Sequence, residues 1–160
     1  MADDTRPERP PTEVRMVEIV FPTDLNPLGT MFGGRVMELM DKAASVAAAR
    51  FCQQVVVTAS MESIDFHTPI RQGSLVEVVA KVVYTGNTSL IMRVDVFSEQ
   101  PLTGQRELCT TGYFSMVALD QNYQPTLVPR LLVRTPEEQA DWERAKEMRE
   151  ASQRRRAQKV

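Results

Sequence analysis

Histidine is nearly absent from this 160-residue chain, which has only His67. That excludes a metal site built on imidazoles, and the Asp and Glu positions show no metal-ligand spacing. Cysteine is almost as scarce. Cys52 and Cys109 cannot make a disulfide framework and lack zinc-ligand spacing, so they read as reduced, buried thiols. No apolar run approaches the roughly 20 residues that span a bilayer. The opening segment, MADDTRPERPPTE, has neither the apolar stretch of a secretory signal nor the acid-poor composition of a transit peptide, so the expected compartment is the cytoplasm. A large excess of one charge is also missing. A net charge of −2 gives no global attraction to nucleic acid or to an anionic membrane, and neither is expected as a partner.

What remains is an ordinary soluble composition, 42% hydrophobic and 25% charged, at the length of one domain. Residues 1–13 are charged and Pro-rich and read as a disordered tail. Val14 to Val20 alternates apolar and charged residues, as a half-buried strand does. From Gly33 to about Phe51 helix formers carry a broad apolar face through Val36, Met37, Met40, Ala44, Ala47, Ala48 and Phe51. The period then changes. Gln54–Phe66, Leu75–Tyr84, Ser89–Ser98 and Arg106–Ala118 read as consecutive antiparallel strands, with Thr85-Gly86-Asn87 as a tight turn. A charged helix closes the chain, with Thr135 as cap, Pro136 at the first position and Glu138 completing a capping box. Its Arg154–Lys159 end reads as solvated and frayed, although such a cluster has the chemistry to touch phosphate. The expected class is α+β: one long helix buried on an antiparallel sheet of about five strands, with a C-terminal helix.

Few groups are left to carry chemistry. A Ser-His-Asp triad would need His67, which sits in IDFHTPI at a strand end, and no nucleophile elbow is present. There is no P-loop, and FGGRVM lacks the three-glycine spacing of a dinucleotide fingerprint. The stretch NPLGTMFGGRVMELMDKAA differs from these. Gly33 and Gly34 open the long helix, where unpaired amides and a positive partial charge suit a carbonyl oxygen that becomes negative in a transition state. One well-placed donor there is worth about 3 kcal/mol. Asp41 lies two turns further on. It belongs either to a solvated stripe with Glu38, Lys42 and Ser45, or to a cleft or subunit interface, since a lone helix wrapped by a sheet has little free surface.

These residues resemble the hotdog-fold acyl-CoA thioesterases, in the branch of the bacterial short- and medium-chain and the brain and cytosolic acyl-CoA hydrolases. The shared pattern is Asn26, Gly29, Met31-Phe32-Gly33-Gly34 and Met40-Asp41, then SMESIDFHTPIRQGSLVEVVAKVVYTGNTSL. Similarity runs from about Met16 to Pro129, within a hotdog domain expected over 14–132 and followed by a charged helix over 133–160. Pro27-Leu28-Gly29-Thr30 departs from the pattern. The resemblance implies a thioesterase with Asp41 as general base or nucleophile and Asn26 as its polar partner, supplied by different subunits. It implies Gly33 and Gly34 at the thioester oxygen. It also implies Ser60, Gly86, Asn87, Thr88 and Ser89 along the coenzyme A arm. No metal or cofactor is called for, coenzyme A being part of substrate and product. A homodimer with composite sites, arranged as a trimer of dimers, is the implied assembly. The rival expectation is a non-catalytic acyl-CoA-binding hotdog module. A hotdog dehydratase is disfavoured because His67 is misplaced for its catalytic histidine.

Overall fold

The computed structural model describes residues 4–159. Its centre is helix α1, Gly33–Cys52, whose buried face runs through Val36, Leu39, Met40, Ala43, Ala44, Ala47, Ala48 and Phe51. The four alanines keep this face thin, so a sheet can curl closely around it. That sheet contains β2 (Glu13–Ile19), β3 (Val55–Phe66), β4 (Leu75–Thr85), β5 (Ser89–Glu99) and β6 (Arg106–Leu119). All its pairings are antiparallel, in the order β2-β4-β5-β6-β3. All five strands lie within one residue of the predicted positions at each end. Burial in β4 and β5 is nearly continuous because both faces are covered, one by α1 and the other by helix α2, Pro136–Ala157. No helix among the described residues is long and apolar enough to cross a membrane.

The expected disordered tail is not what the described part of residues 1–13 forms; residues 1–3 lie outside the described range. Glu8–Arg9 is a short strand, β1, paired in parallel with β7, Arg130–Leu131. Backbone bonds Arg130 N to Pro7 O (2.8 Å) and Leu132 N to Arg9 O (2.7 Å) hold it. Arg9 donates to the Phe51 carbonyl at the end of α1 (2.6 Å), and Arg6 donates to the Gly86 carbonyl (2.8 Å). Composition was a poor guide here. The prolines pre-set an extended backbone, which lowers the entropy cost of ordering it, and each arginine finds orphan carbonyls to bind.

Helix α2 begins as its sequence specifies: the Thr135 side chain accepts from Glu138 N, and the Glu138 carboxylate accepts from Thr135 N. Two buried carboxylates then dock it. Asp141 reaches Lys81 Nζ (2.8 Å) and Arg93 Nη1 (2.9 Å) on the sheet. Glu62 of β3 accepts from Ser152 (3.3 Å) and pairs with Arg155 (3.2 Å) near the other end. The predicted frayed end is therefore corrected: the helix runs to Ala157, because the sheet offers a buried acid to its late arginines. Replacing Asp141 by Ala leaves Lys81 and Arg93 without their shared counter-ion. This change is expected to cost about 3 kcal/mol, read as a lower urea midpoint with an unchanged slope.

Candidate active site

The loop before α1 is built around Asn26. Its Oδ1 accepts from the amides of Leu28 (2.9 Å) and Thr30 (3.2 Å), and its Nδ2 donates to Thr30 Oγ1 (2.9 Å). Gly29 closes this turn at φ +77°, a conformation that side-chain-bearing residues rarely adopt. The Asn26 amide has two N–H bonds, and this turn uses one of them. Arg35 ties the helix start to the preceding loop through Asp24 (3.1 Å) and to β2 through Glu18 (3.0 Å), and pairs with Glu38 (3.0 Å) within the helix. Phe32 stands at the N-cap position and provides no side-chain cap, so the first amides of α1 are left for solvent or a ligand. A Cβ added at Gly34 would meet nothing within 4 Å, whereas at Gly33 it would stand 3.6 Å from the Phe66 ring. Next to Gly33 lies a cavity of about 340 Å³ whose apolar walls include Met31, Val36, Phe66 and Ile70.

Asp41 is half-buried on α1 and points to the sheet. Thr58 Oγ1 of β3 donates to its Oδ1 at 2.6 Å, and among the described residues Oδ2 has no hydrogen-bond donor. The solvated pair on this helix is instead Glu38 with Lys42, at 2.8 Å; Lys42, then Arg35, hold the Glu38 carboxyl below its usual range. The solvated stripe drawn from the sequence therefore holds Glu38 and Lys42, while Asp41 is bonded to the sheet. Thr58 is the site residue that sequence reasoning missed. Strand alternation puts it on the α1 face, but without the sheet register nothing in the sequence joins it to Asp41.

Asn26 and Asp41 share no hydrogen bond or cavity among the described residues. The remaining predicted residues gather on the other face of the sheet, beneath α2. Thr88 and Ser89 line a cleft there, Ser60 bonds Glu62 and receives Arg156 (3.4 Å), and Gly86-Asn87 forms the β4–β5 turn. His67 is an exposed residue whose backbone N–H donates to Cys109 O. Burial pushes the Cys52 thiol up to about 11, far from a nucleophilic thiolate. Among the described residues no cluster of His, Cys, Asp and Glu is arranged to hold a metal ion.

Comparisons with known proteins bear on the same residues. Residues 28–105 match the Thioesterase superfamily. The chain is 44% identical over 119 residues to an uncharacterized acyl-CoA thioester hydrolase of Bacillus subtilis, covering 74% of this chain and 69% of that protein. It is 32% identical over 133 residues (82% of this chain) to the rat cytosolic acyl coenzyme A thioester hydrolase, and spans about a third (35%) of its length. Among solved structures, an apo-hexameric acyl-CoA thioesterase superposes with a TM-score of 0.89 at 35% identity, over 94% of this chain and 98% of the other. An acyl-CoA hydrolase of Staphylococcus aureus, in complex with butyryl coenzyme A and coenzyme A, gives 0.86 at 31% identity, over 92% and 90%. That enzyme was also solved with an asparagine, an aspartate or a threonine replaced by alanine. Those three positions are 15 and 17 residues apart, the spacing of Asn26, Asp41 and Thr58.

Proposed function

This chain belongs to the thioesterase superfamily, and on that premise we propose that it hydrolyses acyl-coenzyme A thioesters, with Asp41 as the essential carboxylate. The observation that carries this reading is the Asp41–Thr58 pair. The 2.6 Å bond fixes one carboxylate oxygen and leaves the other to take a proton from water or to attack the carbonyl directly. In the general-base route, water adds to the carbonyl carbon as Asp41 takes its proton. The carbon–sulfur bond then breaks, and the departing thiolate recovers that proton. The open amides at Gly33 and Gly34 suit the carbonyl oxygen as it becomes negative. Thr58 acts through Asp41 by orienting it, and the spare Asn26 N–H is a donor to water or thioester. The apolar cavity beside Gly33 suits the acyl chain.

One protomer cannot bring all of this to one thioester. Gly33 and Asp41 are eight residues apart on one helix, about 12 Å at 1.5 Å per residue, whereas the oxyanion donor and the base must each work at about 3 Å. The site is therefore composite, with Asp41 and Thr58 from one chain and Asn26 and the Gly33-Gly34 amides from another. The sheet has a place for that second chain. Strand β3 is an edge with Val55 55%, Val57 42% and Met61 41% exposed, and long apolar edges are templates for pairing. Pairing of β3 with its copy forms the homodimer, and the hexameric relative favours three such dimers.

The reading is tested by thiol release from acyl-coenzyme A esters of graded chain length. Absence of turnover on every ester, with binding retained, would leave only an acyl-CoA-binding module. Thr58→Ala is expected to lower kcat about 10- to 100-fold, the worth of one hydrogen bond to a charged group. Thr58→Ser, which keeps the hydroxyl, should recover most of that loss.

A further inference from the structure

The inward stripe of α2 changes character along its length. Trp142, Ala145 and Met148 pack on Tyr84, Ile91 and Tyr113 of the sheet, and this half closes tightly. Arg149, Ser152, Gln153 and Arg156 continue the same stripe at i, i+3, i+4 and i+7, but over a cleft of about 220 Å³. The opposite wall combines the hydroxyls of Thr88, Ser89 and Ser115 with apolar Ala59, Ile91 and Val117. Its one carboxylate, Glu62, is already occupied by Ser60, Ser152 and Arg155.

The two arginines at the ends of this stripe are engaged differently from Arg155, which pairs with Glu62. Arg149 donates to the Tyr84 hydroxyl (2.9 Å) and lies above its ring. Arg156 touches only the Ser60 hydroxyl, at 3.4 Å. Among the described residues neither has a carboxylate partner. The Arg149 guanidinium carbon is 2.8 Å from where a Cβ of Gly86 would stand, so the arginine lies closely across this turn. Arg6 approaches the same turn through the Gly86 carbonyl, at 2.8 Å. The result is a cleft between helix and sheet that holds the Thr88 and Ser89 side chains and two guanidiniums without a carboxylate partner among the described residues. It adjoins Ala59, next in sequence to the Thr58 that holds Asp41.

We propose that Arg149 and Arg156 bind the phosphates of the coenzyme A nucleotide in this cleft, so that α2 belongs to the substrate site rather than serving only as a cover for the sheet. The reading rests on the acyl-coenzyme A activity proposed above. Guanidiniums bind phosphate bidentately, and hydroxyls supply the neutral donors such a site needs. Strand β3, which holds Asp41 through Thr58, also contributes Ala59 and Glu62 to this cleft.

The test compares butyryl-coenzyme A with S-butyrylpantetheine, which has the thioester but no phosphate, in the wild type, Arg156→Ala and Arg149→Ala. The expected result is a rise in KM for the coenzyme A ester of about tenfold or more, with kcat held, and a rise for the pantetheine ester smaller by at least about tenfold. Only the ratio of the two KM changes is scored, because a general loosening of α2 moves both substrates together. Equal changes for both substrates, or none, overturn the phosphate site and leave the thioesterase reading intact. If the wild type hydrolyses neither ester, the thioesterase reading fails. Calorimetric binding of coenzyme A itself then decides the site: weaker binding by the arginine variants supports it, and equal binding overturns it.

Discussion

Replacing Asp41 by Asn is expected to lower kcat for acyl-coenzyme A hydrolysis about a thousandfold, within the 10² to 10⁴ range of a positioned general base. The change removes one charge and hardly alters shape. An asparagine oxygen still accepts from Thr58 Oγ1, so the 2.6 Å bond survives in geometry. What disappears is the second oxygen as a proton acceptor or nucleophile. KM is expected to change little, because the substrate's nucleotide and acyl parts are held elsewhere. Asp41 is half-buried and its only described hydrogen-bond partner is Thr58, so thermal unfolding should stay close to wild type. A kcat within about tenfold of wild type would remove Asp41 from the reaction, whatever the protein's substrate.

Regular elements were legible in the sequence because each one repeats its signal. The alternation in Ser89–Ser98 and the helical spacing from Val36 to Phe51 recur over several periods, and the structure departs from them only at the ends. Glu8–Arg9 and Arg130–Leu131 are two residues each, too short for any period, and form because they find one another across the chain. The late arginines of α2 are exposed, as a charge run specifies, but the helical order of that end was not legible, because Glu62, which pairs with Arg155, lies about ninety positions away in sequence. The candidate site divides the same way. Asn26, Gly33, Gly34 and Asp41 fall in one short stretch, where loop punctuation and a helix start can be read directly. Thr58 joins them through the register of β3 against α1, and Arg149 and Arg156 join Thr88 and Ser89 only once α2 has docked.

Mixing two inactive variants is expected to restore activity. In a composite site, a chain carrying Asn26→Asp still offers its Asp41, and a chain carrying Asp41→Asn still offers its Asn26. Asn26→Asp is the apt choice because a carboxylate can still accept from the amides of Leu28 and Thr30, which Asn26 Oδ1 now holds at 2.9 and 3.2 Å. The amide donor, including its bond to Thr30 Oγ1, is lost and a negative charge takes its place. When the two chains are co-expressed equally and pair at random, half of the dimers are mixed. Each mixed dimer has one site with both changes and one with neither, so recovery should reach about a quarter of wild-type turnover. Either variant alone should remain far below that level. Were Asn26 and Asp41 of one chain to serve the same thioester, every site in the mixture would carry a lesion and nothing would be regained. That outcome would require the helix start and Asp41 to reach one carbonyl across about 12 Å of α1, and would overturn the two-chain site while leaving the Asp41 chemistry untouched.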